Sequence, residues 1–157
     1  LWVHIAFMDS FLRAHQMYAW REIPGGADAY IALWSKSVAP LGLSRVPMNE
    51  AELIAELERQ KPLLTVTDKT RDVVSFIKSP PLPAAAKPTY ALLFEAAVLS
   101  LPLDYREMLG LKAKPRWLIQ PLTRATLRLI RTAIGPESPI EDGAIERLQR
   151  IGAWPKR

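Results

Sequence analysis

The chain has 157 residues, of which 49% are hydrophobic and 24% charged, and its formal net charge is +5. This composition is typical of one folded domain with a tail and excludes a disordered chain or a coiled coil. The absence of cysteine excludes disulfides, thiol catalysis and Cys-ligated metal sites. No apolar run approaches the roughly 18 residues that a membrane-spanning helix needs.

Proline and glycine divide the chain into seven predicted helices, because both residues interrupt helical apolar spacing. The first predicted helix covers 1–20, which contains no Pro or Gly. The others cover 27–40, 49–60, 67–78, 88–101, 115–134 and 140–151, with a short turn at 104–109. No alternating pattern indicates a strand, so the predicted fold class is all-α, a multi-helix globular domain.

Three local features support these helix starts. Asn49 is placed to cap the third helix, ahead of acidic residues in its first turn. Thr67 and Thr70 have the spacing of a half-formed capping box, and Pro88 suits a first helical turn.

The segment 92–99 is almost wholly apolar, which predicts that its helix is the central and most buried one. We expect Leu93, Ala97 and Val98 to be fully buried. Glu95 is the one charge in this segment, and we expect its carboxylate to reach an edge or to pair with an arginine.

Basic residues concentrate in the C-terminal third, since residues 105–157 carry a net charge of +6 and residues 1–60 a net charge of −2. Arg124, Arg128 and Arg131 fall on one stripe of a long helix. The stripe is a solvated face, a contact with an anionic membrane surface, or a nucleic-acid site. No nucleic-acid-binding motif accompanies the charge, so no nucleic-acid partner is predicted.

The common hydrolase, kinase and zinc-protease motifs are absent. The first helix instead carries His4, Met8, Phe11 and His15 at i, i+4, i+7 and i+11, which places them along one face. This face is either a core stripe with polar tips or the border of a flat aromatic cofactor, since His and Met ligate haem iron and Phe packs on a porphyrin. These four residues are the candidate cofactor-binding residues; no catalytic residue and no protein-held metal site is predicted.

An ordered series of short motifs resembles one family. The series comprises Trp2-Val3-His4, Asp9-Ser10-Phe11-Leu12-Arg13 with Tyr18, Ala51-Glu52-Leu53, Pro80-Pro81-Leu82-Pro83, Pro88-Thr89-Tyr90, Ala96-Ala97 and Leu101-Pro102 through Arg106-Glu107-Met108-Leu109-Gly110-Leu111. It resembles the C-terminal part of the catalytic domain that uncharacterised bacterial proteins share with the latex-clearing rubber oxygenases and the ER-bound oxygenase of mycophenolic acid biosynthesis. The resemblance covers 1–135, and 136–157 is predicted to be a C-terminal helix and tail.

The resemblance implies an all-helical domain that binds b-type haem and uses dioxygen on a hydrophobic, isoprenoid-like substrate. In the family pattern the proximal His lies on a helix before the Trp-Val-His segment, so we expect it upstream of this chain, which we interpret as a C-terminal fragment. His4 is then expected in or next to the haem pocket. Met8 and His15 match no family motif and depend on spacing alone.

Two hypotheses follow. The first is a haem-dependent oxygenase-like enzyme, an oxidoreductase located in the cytoplasm or at the periphery of a membrane. The alternative is a non-enzymatic helical module that binds a lipid-like ligand, a membrane surface or a partner helix through the same apolar surface.

Overall fold

The computed structural model describes residues 1–43, 45–135 and 139–152. Within these ranges the chain forms eight α-helices and no strand, which confirms the all-α prediction. The helices are α1 (Trp2–Tyr18), α2 (Gly26–Ser35), α3 (Glu50–Gln60), α4 (Asp68–Lys78), α5 (Lys87–Ser100), α6 (Leu103–Met108), α7 (Arg116–Ile134) and α8 (Pro139–Arg150).

Two helices differ from the prediction. The second α-helix ends at Ser35 and continues as the 3-10 helix Lys36–Leu41. Pro40 is the physical reason, because its ring carries no N–H and clashes with the carbonyl four residues earlier, so the last turn tightens. The region predicted as a turn at 104–109 contains the short helix α6.

The structure confirms the Asn49 cap and the place of Pro88, and it completes the capping box that the sequence predicted as half-formed. The Asn49 side-chain oxygen accepts the backbone N–H of Glu52 at 2.9 Å. The capping box of α4 is complete: Thr67 Oγ1 accepts the Thr70 N–H at 3.3 Å, and Thr70 Oγ1 accepts the Thr67 N–H at 3.2 Å. Pro88 lies in the first turn of α5. Each cap satisfies backbone donors that the first helical turn leaves unpaired.

The central helix is α1, which packs against α2, α3 and α5. Its buried side chains include Ile5, Met8 and Leu12, which are at most 2% exposed. We call these three residues the core row. They pack in one hydrophobic cluster with Ile31 of α2 and with two leucines of α3, Leu53 and Leu57.

The prediction that α5 is the most buried helix is wrong. Val98 is buried as predicted, but Leu93 is only half-buried and Ala97 is exposed. Apolar residues surround α5 on every side, so its sequence cannot indicate which face meets neighbouring helices. Glu95 forms an ion pair with a lysine and not with an arginine: Lys114 Nζ lies 3.1 Å from Glu95 Oε1.

The chain divides into two compact units, residues 1–123 and residues 124–157, and the boundary lies inside α7. The first unit holds α1 to α6 and the beginning of α7, and the second holds the rest of α7 and α8. The boundary expected at 135/136 marked the end of the family resemblance and stays a prediction. No helix in the described ranges combines the length and apolarity needed to cross a bilayer.

Candidate functional site

Five ring-bearing side chains of α1 and α2 lie beside the core: His4, Phe7, Phe11, Tyr30 and Trp34. We call them the aromatic cluster. The Trp34 ring is at its centre, with ring centroids 5.5 Å from Phe11, 5.6 Å from Tyr30 and 6.3 Å from His4. Phe7 stacks on Phe11 at 5.9 Å with an interplanar angle of 14°. Helical spacing explains the grouping, because residues three or four apart are neighbours on a helix surface.

Part of the aromatic cluster faces solvent. Phe7 is 53% exposed and Phe11 is 52% exposed, and Val3, one turn before Phe7, is exposed as well. Two adjacent phenylalanine rings at this exposure leave a continuous apolar surface in water. Such surfaces on soluble proteins mark places where a ligand or a partner binds.

The polar atoms of the aromatic cluster are arranged around Trp34. The Trp34 indole N–H donates to His4 Nδ1 at 3.2 Å. Nδ1 must therefore hold a lone pair, so the hydrogen of the neutral imidazole is on Nε2. Burial lowers the pKa of His4, which favours this neutral form.

Two buried atoms of the aromatic cluster, His4 Nε2 and the Tyr30 hydroxyl, have no hydrogen-bond partner within the described part of the chain. Burial of this hydroxyl raises the pKa of Tyr30. Unpaired buried polar groups are costly, and a native structure keeps few of them without a reason. A ligand that supplies an acceptor oxygen to the His4 Nε2–H would remove that cost. The arrangement suits a flat or chain-like apolar ligand with a polar edge.

The structure brings together two of the four residues predicted from spacing, His4 and Phe11. Met8 is fully buried in the core row, within the hydrophobic core against which Tyr30 and Trp34 pack. His15 is exposed near the end of α1, and its Nε2 lies 2.9 Å from the backbone oxygen of Arg21. It lines a separate cleft of about 500 Å³ between the end of α1 and the start of α2.

Sequence reasoning missed Phe7, Tyr30 and Trp34. Phe7 could have been found, because it is three residues from His4 and four from Phe11. Tyr30 and Trp34 form an aromatic pair at i and i+4 on α2, but nothing in the sequence says that this pair faces α1. Among the described residues, no group of three or more His, Asp or Glu side chains could hold a metal ion.

Comparison with protein families identifies a family that matches most of the chain. The family described as "ER-bound oxygenase mpaB/B'/Rubber oxygenase, catalytic domain" matches residues 1–132, which include the whole aromatic cluster. No curated protein and no solved structure matches the chain significantly. The match covers most of the chain and confirms the resemblance carried by the motif series that begins with Trp2-Val3-His4. The chain therefore belongs to this family, the catalytic domain of the ER-bound oxygenase mpaB/B' and of rubber oxygenase.

Proposed function

We propose that this chain is part of a haem-dependent oxygenase in which the aromatic cluster forms one wall of a pocket for haem and a hydrophobic, isoprenoid-like substrate. The observation that carries the proposal is the half-exposed pair of phenylalanines beside two buried polar atoms that no described residue satisfies. Family membership supports the use of dioxygen in general. Haem, when bound, supplies the iron at which dioxygen is activated.

The residues of the aromatic cluster suit packing and hydrogen bonding with a haem group better than ligation of its iron. The Phe7 and Phe11 rings are close to parallel and present an apolar wall to a flat macrocycle. His4 would suit the role of a hydrogen-bond donor better than that of an iron ligand, because ligation through Nε2 needs a lone pair on Nε2 and a hydrogen on Nδ1. Since Trp34 donates to Nδ1, the His4 ring has the opposite arrangement. We therefore propose that His4 does not ligate the haem iron.

The chain's own residues have distinct roles in this proposal. Phe7 and Phe11 exclude water and pack against the ligand, and Trp34 fixes the tautomer and the orientation of His4. The His4 Nε2–H donates to an acceptor oxygen of the ligand, and the Tyr30 hydroxyl supplies a second polar contact. Direct contact of Met8 and His15 with the cofactor stays a prediction that depends on spacing alone.

The test uses full-length protein that contains this chain, produced with haem supplementation. We expect a Soret band. His4→Ala should retain most of the haem but shift the Soret position or slow the reaction with oxygen about 10–100-fold, as is typical when a group that orients a metal site is lost. Gln16→Ala is the matched control, since this side chain is exposed on the same helix outside the cluster and is not a candidate cofactor-binding residue.

Two results would overturn parts of the proposal. A colourless full-length protein would remove haem from it, and a His4→Ala variant with unchanged spectrum and reactivity would remove His4 from the pocket. A colourless protein that still binds apolar fluorescent probes at Phe7 and Phe11 would favour the alternative, a non-enzymatic module for a lipid-like ligand. The same exposed phenylalanine surface motivates that alternative. Under either function we propose a location in the cytoplasm or at the periphery of a membrane.

A further inference from the structure

Two proline motifs of the sequence meet at a small cleft that the proposed haem pocket does not use. Pro80-Pro81-Leu82-Pro83 and Pro88-Thr89-Tyr90 belong to the motif series that resembles the family, and they lie where α4 is connected to α5. The cleft has a volume of about 250 Å³ and is lined by Lys78, Ser79, Pro80, Leu82, Lys87, Tyr90 and Ala91. We call it the proline cleft.

The chain itself holds the walls of the proline cleft in place. The Tyr90 hydroxyl donates to the backbone oxygen of Ile77, which joins the end of α4 to the first turn of α5. Between the two helices the Leu82 N–H donates to the backbone oxygen of Pro80 at 2.8 Å, and each proline ring fixes its φ near −65°. A ligand would therefore lose little affinity to the ordering of this cleft.

Two lysines give the proline cleft a positive charge. Lys78 ends α4 and Lys87 begins α5, and both are exposed. Neither side chain forms an ion pair or a hydrogen bond within the described part of the chain. No acidic residue is among the described residues that line the cleft, so no carboxylate there offsets the repulsion between the two charges.

The two lysines differ in how well their own helices account for them. Lys78 is in the last turn of α4, where a cation is favourable because the carbonyl groups of the helix end there. Lys87 begins α5, where the N–H groups make a cation unfavourable, and the first turn of α5 contains no acidic residue. The structure of α5 thus gives no reason for a lysine at 87, whereas an anion bound in the cleft would give one.

A phosphate monoester fits the proline cleft better than other anions do. It carries a charge of about −1.5 to −2 at pH 7, which matches two lysines, whereas a carboxylate or a sulfate ester carries only one charge. Pro80 and Leu82 offer an apolar contact to the organic group of the ester. This group must be small, since pockets for ordinary small molecules have volumes of about 300–1,000 Å³.

We propose that the proline cleft binds a phosphate monoester, with the phosphate between Lys78 and Lys87 and a short apolar group on Pro80 and Leu82. A small metabolite and a lipid headgroup can both supply this phosphate. The site is independent of the proposed haem pocket, because no residue of the aromatic cluster lines the cleft.

The test is calorimetric titration of the full-length protein that contains this chain with n-butyl phosphate, n-butyl sulfate and inorganic phosphate. The variants are Lys78→Gln, Lys87→Gln and Leu82→Ala. Lys69→Gln is the matched control, because Lys69 is exposed on α4 and does not line the cleft. Circular dichroism of each variant establishes that the fold is retained. Co-sedimentation with phosphatidylcholine vesicles that contain or lack phosphatidic acid tests the lipid source.

We expect n-butyl phosphate to bind more tightly than n-butyl sulfate. Each cleft lysine variant should bind n-butyl phosphate about three- to fivefold more weakly, because an exposed ion pair contributes up to about fivefold. Leu82→Ala should weaken binding of n-butyl phosphate but not of inorganic phosphate, and Lys69→Gln should bind like the unmodified protein. Vesicle binding that requires phosphatidic acid and both cleft lysines would assign the phosphate to a lipid, and n-butyl phosphate binding without vesicle binding would assign it to a small molecule.

Four results would overturn the proposal: no binding of n-butyl phosphate, equal affinities for n-butyl phosphate and n-butyl sulfate, equal losses in Lys69→Gln and the two cleft lysine variants, or unchanged n-butyl phosphate binding by Leu82→Ala. Each of these results is distinguishable from failure of the haem proposal, because none of the measurements uses haem or oxygenase activity.

Discussion

The core row and the aromatic cluster use neighbouring faces of the same helix, α1, yet they differ in burial. Ile5, Met8 and Leu12 are at most 2% exposed, whereas Phe7 and Phe11 are more than half exposed. The two groups of residues differ in their packing partners and not in their hydrophobicity. The core row packs against Ile31 of α2 and against Leu53 and Leu57 of α3. The comparison teaches that the packing partners, and not the spacing of apolar residues along α1, decide which of its faces is buried.

The largest expected effect separates the two faces by stability. Leu12→Ala removes packed methyl groups and leaves a cavity in the core row, so it should lower the free energy of unfolding by about 2–5 kcal/mol. Phe7→Ala removes a half-exposed ring and should cost less than about 1.5 kcal/mol. Urea denaturation measures both changes. Equal costs for the two variants would mean that Phe7 is a structural residue.

Ligand affinity, unlike stability, should depend on the exposed rings of the aromatic cluster. Phe11→Ala removes part of the proposed wall and should weaken binding of haem or an apolar probe by about 5–10-fold, the amount expected from losing half of a buried phenylalanine. Phe76→Ala is the matched control, because Phe76 is 62% exposed on α4, away from the cluster. Fluorescence or absorption titration measures the affinities. A similar loss in both variants would indicate nonspecific binding to exposed aromatic rings.

Much of the local structure could be predicted from sequence. The starts of α3, α4 and α5 follow from Asn49, Thr67 and Pro88, because capping and proline effects act within one turn. These predictions succeed because they depend on residues that are close in the chain. Motif resemblance also indicated His4 as a site candidate, and that role stays a prediction.

The choice of faces could not be predicted in the same way. On α1, Met8 lies between the direction of the core and the direction of the cluster, and only the positions of α2 and α3 place it in the core. Trp34 comes from a helix 30 residues away from His4. On α5, Ala97 is exposed because no described helix covers that side, a fact that its uniformly apolar sequence does not contain.

A smaller loss of stability should follow from weakening α3, the helix that packs on the core row but does not contribute to the aromatic cluster. Asn49→Ala removes the hydrogen bond to the Glu52 N–H at the start of α3, so it should destabilise the protein by about 1 kcal/mol. The aromatic cluster involves no residue of α3, and therefore probe affinity should not change. Thermal denaturation and probe titration measure the two quantities, with Ser75→Ala on the exposed side of α4 as the control. A loss of probe affinity in Asn49→Ala would show that the two faces of α1 are energetically coupled.

The smallest expected effect concerns the polar member of the aromatic cluster. Burial lowers the pKa of His4 below its usual value of 6.5, so the unfolded chain takes up this proton at a higher pH than the folded one. Stability is therefore unaffected by His4 above about pH 6.5, and it decreases as the pH falls from that value to the lowered pKa. Protonation would also leave the Trp34 indole N–H without its acceptor, Nδ1.

The measurement that isolates His4 is a difference between two proteins. Free energies of unfolding are determined from about pH 5 to 8 for the unmodified protein and for His4→Asn, so that the titration of the carboxylates cancels. We expect the pH dependence between the two pKa values to be smaller in His4→Asn than in the unmodified protein. If His4→Asn keeps the same dependence, the imidazole is solvated, and the neutral donor proposed for the pocket has no basis.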